Sequence, residues 1–195
     1  TTHDITITIT GANDPAEITV SYANGDTDRG AVTEDYEAET GTLTAAGTLS
    51  ISDADAGEAE FSTSVTAPIG AWGALAITPA GAWTYTLDNT LTDVQALAEG
   101  ETRTETFTVT SEDGTATQTI TITITGANDP AEITVNAAAG DTDVGAVTED
   151  VNATADILTA AGTLSISDAD AGEAEFSTSV TAPIGAWGAL AITPA

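Results

Sequence analysis

Isoleucine alternates strictly with threonine at Ile5, Ile7 and Ile9, and again at Ile120, Ile122 and Ile124. A period of two sends the isoleucines to one side of an extended strand and the threonines to the other, which predicts strands with one buried face. Glu17–Tyr22, Thr48–Ser52, Ala59–Thr66, Ala74–Thr78, Trp83–Leu87 and Thr104–Thr110 read the same way. Turn signals lie between these runs. Pro79-Ala80-Gly81 joins two strands tightly, and Glu112-Asp113-Gly114 predicts the hairpin turn before the last strand. Only Thr92–Ala98 has helical spacing, with Val94 and Leu97 facing inward. The expected core is Phe61, Trp72, Leu75, Ile77, Trp83, Tyr85, Phe107 and Val109.

The pattern then returns. Residues 116–195 copy residues 1–80 at a constant offset of 115 with no gap, and Leu43–Ala80 reappears unchanged as Leu158–Ala195. A period of one domain length means a tandem array of folded modules. About seven short strands per 115-residue repeat, punctuated by turns, predict an all-β fold of tandem antiparallel β-sandwiches of immunoglobulin type. On this division residues 1–10 are the last strand of a preceding repeat, 11–125 a complete sandwich, and 126–195 the N-terminal part of the next. The chain is therefore expected to be an excerpt of a longer array, or to be completed by strand addition from a neighbouring chain. Standing alone, the final part would expose Phe176, Trp187, Leu190 and Ile192. The joints, Gly11–Pro15 and Gly126–Pro130, are too short for flexible tethers, and each proline restricts the backbone further.

Charge changes the picture. There are 31 acidic residues against 2 basic ones, for a net charge of −29, while 41% of the residues are hydrophobic. That combination is a folded acidic protein and not a disordered acidic tail. Nothing here could neutralise phosphates, so nucleic acid is excluded as a partner, and no run predicts membrane insertion. Cysteine is absent, which rules out disulfides and thiol chemistry. The single histidine, His3, is replaced by Gln118 one repeat later, and no Ser–His pairing, phosphate loop or zinc spacing occurs, so the protein is not expected to be an enzyme.

Two carboxylates about 5 Å apart repel by roughly 3 kcal/mol at an effective dielectric of 20, so gathered acids call for a counter-ion. Calcium takes six to eight hard oxygen ligands, and Asp-x-Asp-x-Gly runs suit it, with alternate carboxylates on one side and a glycine for the turn. Such runs occur at Asp26, Asp28 and Gly30 and at Asp53, Asp55 and Gly57. They return at Asp141, Asp143 and Gly145 and at Asp168, Asp170 and Gly172. The threonine-rich strands would also suit an ice- or surface-binding array, against the plainer reading that threonine favours the outward face of a strand.

Several motifs in order resemble one family: Val32-Thr-Glu34-Asp35, Ser50–Gly57, Gly81–Asn89, Val94–Glu101, Glu112–Gly114 and Ile120–Pro130. They resemble the VCBS repeats of giant bacterial surface adhesins, among the cadherin-like and immunoglobulin-like modules. The resemblance implies a seven-stranded sandwich, end-to-end stacking and structural calcium at or near the joints. It implies ligand roles for Glu34 and its copy Glu149, for Glu99 and Glu101, and for the linker pairs Asn13-Asp14 and Asn128-Asp129. The joint at Asn128 would draw Glu34, Glu99 and Glu101 from one side and Asp168 and Asp170 from the other; that at Asn13 would draw Asp53, Asp55 and Asp113. The linker's usual leading aspartate is Gly126 here and Gly11 in the first copy, which implies fewer ligands or fewer ions. Asp26, Asp28, Asp141 and Asp143 have no counterpart in that scheme.

The two copies differ at thirteen of eighty aligned positions, mostly within 21–42, including Tyr22 against Ala137, Arg29 against Val144, Tyr36 against Val151 and Glu37 against Asn152. No proposed ligand differs in the overlap. The expectation is an extracellular extender of a calcium-dependent bacterial cell-surface adhesin or matrix protein, whose partners are neighbouring repeats. The alternatives are a subunit of a self-assembling filament or sheath, a homopolymer, and a glycan-binding module using exposed aromatics.

Overall fold

The computed structural model describes residues 2–36, 41–150 and 157–194; the differing positions Glu37, Val151 and Asn152 lie outside them. Two compact units are present, Thr1–Leu91 with Glu101–Thr125, and Thr92–Gly100 with Gly126–Ala195.

The first unit holds strands β1 (Glu17–Thr19), β2 (Arg29–Thr33), β3 (Thr42–Thr48), β4 (Ser50–Ser52), β5 (Ala74–Ile77), β6 (Ala82–Asp88), β7 (Thr102–Thr110) and β8 (Thr117–Thr125). One sheet runs β3-β6-β5, antiparallel throughout; another runs β2-β8-β7; β1 and β4 form a short antiparallel pair. The pairing of β2 with β8 is parallel, within a sandwich whose other strand pairs are antiparallel as expected. The alternation expected of half-buried strands is present: Trp83, Tyr85 and Leu87 on β6, Phe107 and Val109 on β7, and Ile120, Ile122 and Ile124 on β8 are all buried. Tyr85 and Phe107, one from each three-stranded sheet, meet edge to face with centroids 5.7 Å apart, so the core lies between those sheets.

Some expectations change in detail. The segment 59–66 contributes only two isolated bridges, Phe61 to Ser111 and Thr66 to Thr108. Strand β2 has a single buried apolar side chain, Val32, which gives no periodic signal. Its Gly30 leaves room for the core: a Cβ there would stand 2.8 Å from Ile122 Cδ1. Trp72 is half-buried and not enclosed, because the Arg103 guanidinium covers its ring at 4.0 Å. Beside it the buried Glu105 carboxylate accepts hydrogen bonds from Tyr85 Oη (2.9 Å), Trp72 N (2.5 Å) and Gly73 N (3.4 Å). Arg103 Nε lies 3.6 Å from the same group.

In the second unit, β9 (Glu132–Thr134) and β10 (Ser165–Ser167) pair antiparallel, reproducing β1 and β4. A single helical turn, α1, spans Thr92–Gln95, shorter than the run 92–98 suggests, with Val94 and Leu97 buried as expected. Trp187 and Leu190 are exposed, Phe176 and Ile192 only partly covered. Residues 5–10 repeat the sequence of 120–125, yet Ile5, Ile7 and Ile9 are exposed and carry no strand. The buried copy has β2 and β7 on its two sides to supply ladder partners.

Candidate metal centre

The loop after β4 begins with Asp53. Its Oδ1 accepts the Asp55 N–H at 2.8 Å, closing a tight Asx turn. Gly57 follows with φ of +92°, in the left-handed region, and the reversal carries Glu58 back beside the turn. Main-chain bonds fasten this loop to the hairpin between β7 and β8: Glu112 N donates to Glu60 O at 2.9 Å and Ser62 N to Thr110 O at 2.9 Å. Asp113 sits at that hairpin tip. Oxygens of Asp53, Glu58 and Asp113 consequently lie within 4.8 Å of one another.

The linker before β1 closes over the same place. Asp14 N donates to Asp55 Oδ2 at 2.7 Å, Asn13 Nδ2 to Asp113 Oδ2 at 3.3 Å, and Ala16 N to Thr115 Oγ1 at 2.9 Å. Asn13 Nδ2 also donates to Asp14 O at 3.0 Å. Asp53 and Asp55 are half-buried, as are Glu58 and Asp113, while Asn13 and Asp14 remain exposed.

The electrostatics divide the acids. Hydroxyl donors from Ser111 and Thr115, both at 2.6 Å, hold the Asp113 carboxyl well below the usual carboxylate range, with Thr115 N and Asn13 adding to them. Glu58 goes the other way. Burial, and then the negative charges of Asp55, Asp53 and Asp113, push it up. Asp53 Oδ2 and Glu58 Oε2 are buried without a hydrogen-bond partner. Glu58 is absent from the ligand set that the resemblance implies. Its signal was nonetheless on the chain, since Asp53-Ala-Asp-Ala-Gly-Glu58 returns complete as Asp168–Glu173.

The second unit rebuilds part of the arrangement. Asp170 N donates to Asp168 Oδ1 at 2.9 Å, and Asp129 N to Asp170 Oδ2 at 2.9 Å. Asn128 Nδ2 donates to Asp129 O at 3.0 Å. Asp170 is only 2% exposed, and its Oδ1 has no hydrogen-bond partner.

The other candidates have settings of their own. Asp26 is buried and its carboxylate is taken up by the chain: Ser50 Oγ at 2.7 Å, Ser21 N at 3.1 Å and Thr48 Oγ1 at 3.2 Å. Those donors, Ser50 first, lower its pKa. Asp141 repeats the arrangement with Ser165 Oγ, Asn136 N and Thr163 Oγ1. Asp28 accepts from Tyr22 Oη at 2.8 Å and Gln118 Nε2 at 3.1 Å, whereas its copy Asp143, with Ala137 in the place of Tyr22, is exposed. Glu34 is buried, its N–H donating to Thr125 O at 2.9 Å. The next residue, Asp35, has φ of 56° and exchanges two hydrogen bonds with Asn89. Glu99, Glu101 and Glu149 are exposed.

A family model described as a bacterial cadherin-like domain matches residues 13–126. Comparison with curated proteins gives no match.

Proposed function

The chain belongs to the bacterial cadherin-like domain family, structural modules of adhesion type, and on that premise we propose that it is an extender of a calcium-dependent bacterial cell-surface adhesin or matrix protein. In the first unit calcium would be held by Asp53, Glu58 and Asp113, with Asp55 shaping the loop and Asn13 and Asp14 bringing in the linker. In the second, the proposed ligands are a different set, Asp168 and Asp129 with Asp170, whose buried Oδ1 has no hydrogen-bond partner. The ion supplies positive charge to crowded carboxylates and ties three chain segments to one point.

One observation carries the reading: buried carboxylate oxygens on Asp53 and Glu58, without donors, in a cluster spanning 4.8 Å. Calcium–oxygen bonds run about 2.3–2.6 Å, so oxygens on opposite sides of one ion stand about 5 Å apart, and the cluster fits that span. An orphaned buried carboxylate oxygen is costly unless something positive occupies its lone pairs.

Calorimetric titration of the metal-free chain with calcium tests this. Saturable binding is expected, and Asp53→Asn combined with Glu58→Gln should weaken the first-unit site by at least about tenfold. Indifference of the chain to calcium, in both heat and melting temperature, would sink the proposal.

A further inference from the structure

Residues 92–100 belong by sequence period to the first repeat, yet they pack within the second unit. Two of the contacts are main chain to main chain. Gly100 N donates to Gly126 O at 3.1 Å, and Ala171 N donates to Ala96 O at 3.2 Å. The first bond holds the linker. The second holds the loop that carries Asp168 and Asp170. Between them Gly126 lies against the segment so closely that a Cβ would stand 2.2 Å from Leu97 O and 2.5 Å from Ala98 O. Such distances exclude every side chain. Leu97 is 7% exposed and Val94 fully buried, so the segment's apolar side chains are covered while its carbonyls and amides face the linker and the loop.

The first copy supplies an internal comparison. Gly11 opens the same decapeptide, Gly11–Val20 matching Gly126–Val135, but a Cβ on Gly11 would meet nothing within 4 Å. Among the described residues no segment docks against Gly11. The requirement for glycine at this position therefore comes from the docked segment and not from the linker's own conformation.

We propose that residues 92–100 are a staple that fastens each repeat to the one after it without metal. Its partner is the Gly-Ala-Asn-Asp-Pro linker and the Asp-x-Asp loop of the following repeat, read through backbone groups. The glycine at 126 then has a positive role: it gives up a ligand side chain to let two backbones touch. This does not rest on calcium binding and goes beyond it.

Amide hydrogen exchange on the full chain in EDTA tests the staple directly. Ala171 N–H should exchange at least about tenfold more slowly than Ala56 N–H, its counterpart in the same loop sequence, because Ala171 bonds the carbonyl of Ala96 and Ala56 has no such partner among the described residues. Gly126→Ala should erase that difference while the amides of β7 and β8 keep their protection, which separates loss of the staple from loss of the fold. Equal exchange at Ala171 and Ala56 in EDTA, or unchanged protection in Gly126→Ala, would overturn the proposal. A chain that shows protected Ala171 and no calcium binding would keep the staple and remove the calcium reading; the reverse result would do the opposite.

Discussion

Gly81 has φ of +87°, and a Cβ there would stand 2.1 Å from the Leu49 carbonyl oxygen. The turn Pro79-Ala80-Gly81 is legible from its residues, but the close approach is not, because Leu49 is remote in sequence. Gly81→Ala meets both a left-handed backbone and a main-chain collision. It should cost more than about 2 kcal/mol, read as a lower urea midpoint with unchanged slope. Asp26 shows the same limit. Its spacing from Asp28 and Gly30 reads as a metal loop, whereas Ser21, Thr48 and Ser50 supply its donors from three other places in the chain. Because those donors depress its pKa, the native state binds the proton less readily than the unfolded chain. The stabilisation is complete above the ordinary aspartate range and is lost as pH falls through the lowered native value. Asp26→Asn should therefore flatten the acid side of the stability curve below about pH 4, followed by tryptophan fluorescence.

At the scale of elements, the identical hexapeptides at 5–10 and 120–125 separate what a sequence pattern specifies from what it does not. Alternation specifies which face a strand would bury. Whether a strand forms depends on neighbours that offer a ladder, and β8 has them on both sides. The long, alternating strands β6, β7 and β8 were legible for that reason, as was the turn of helix at 92–95. Strand β2 was not, since its placement rests on Gly30 and a parallel partner 90 or so residues away. Among the residues of the candidate site, the linker and Asp-x-Asp groups were visible by repetition, while Glu58 joins them only through the turn at Gly57. Two side chains from β7 hold the connection from Thr66 to Gly73, Arg103 at Gly70 and Trp72, and Glu105 at Trp72 and Gly73. Glu105→Ala would leave the donors of Trp72, Gly73 and Tyr85 and the Arg103 charge without their shared acceptor. It should destabilise the first unit by about 3–5 kcal/mol in denaturant titration.

For the whole molecule, 31 acids against two arginines make self-repulsion a standing cost, and bound calcium would lower it. Saturating calcium should raise the melting temperature and EDTA should reverse the change. At a calcium concentration one hundred times the dissociation constant, the gain is about 2.7 kcal/mol per site. Scattering from the full chain should narrow in its distance distribution when calcium is added. Identical melting and scattering in the two conditions would remove the ion from the account.

The two arginines have one more consequence. Arg103 sits within β7, its guanidinium over Trp72, donating to Gly70 O at 2.7 Å and close to Glu105; Arg29 lies within β2, bonded along β8. Proteases that cut after basic residues need several residues of free, extended backbone, and neither position offers it while the sheet is intact. With lysine absent from the chain, digestion by such enzymes has to wait for the sheet to open, so the lifetime of the folded unit in their presence is set by its own unfolding equilibrium.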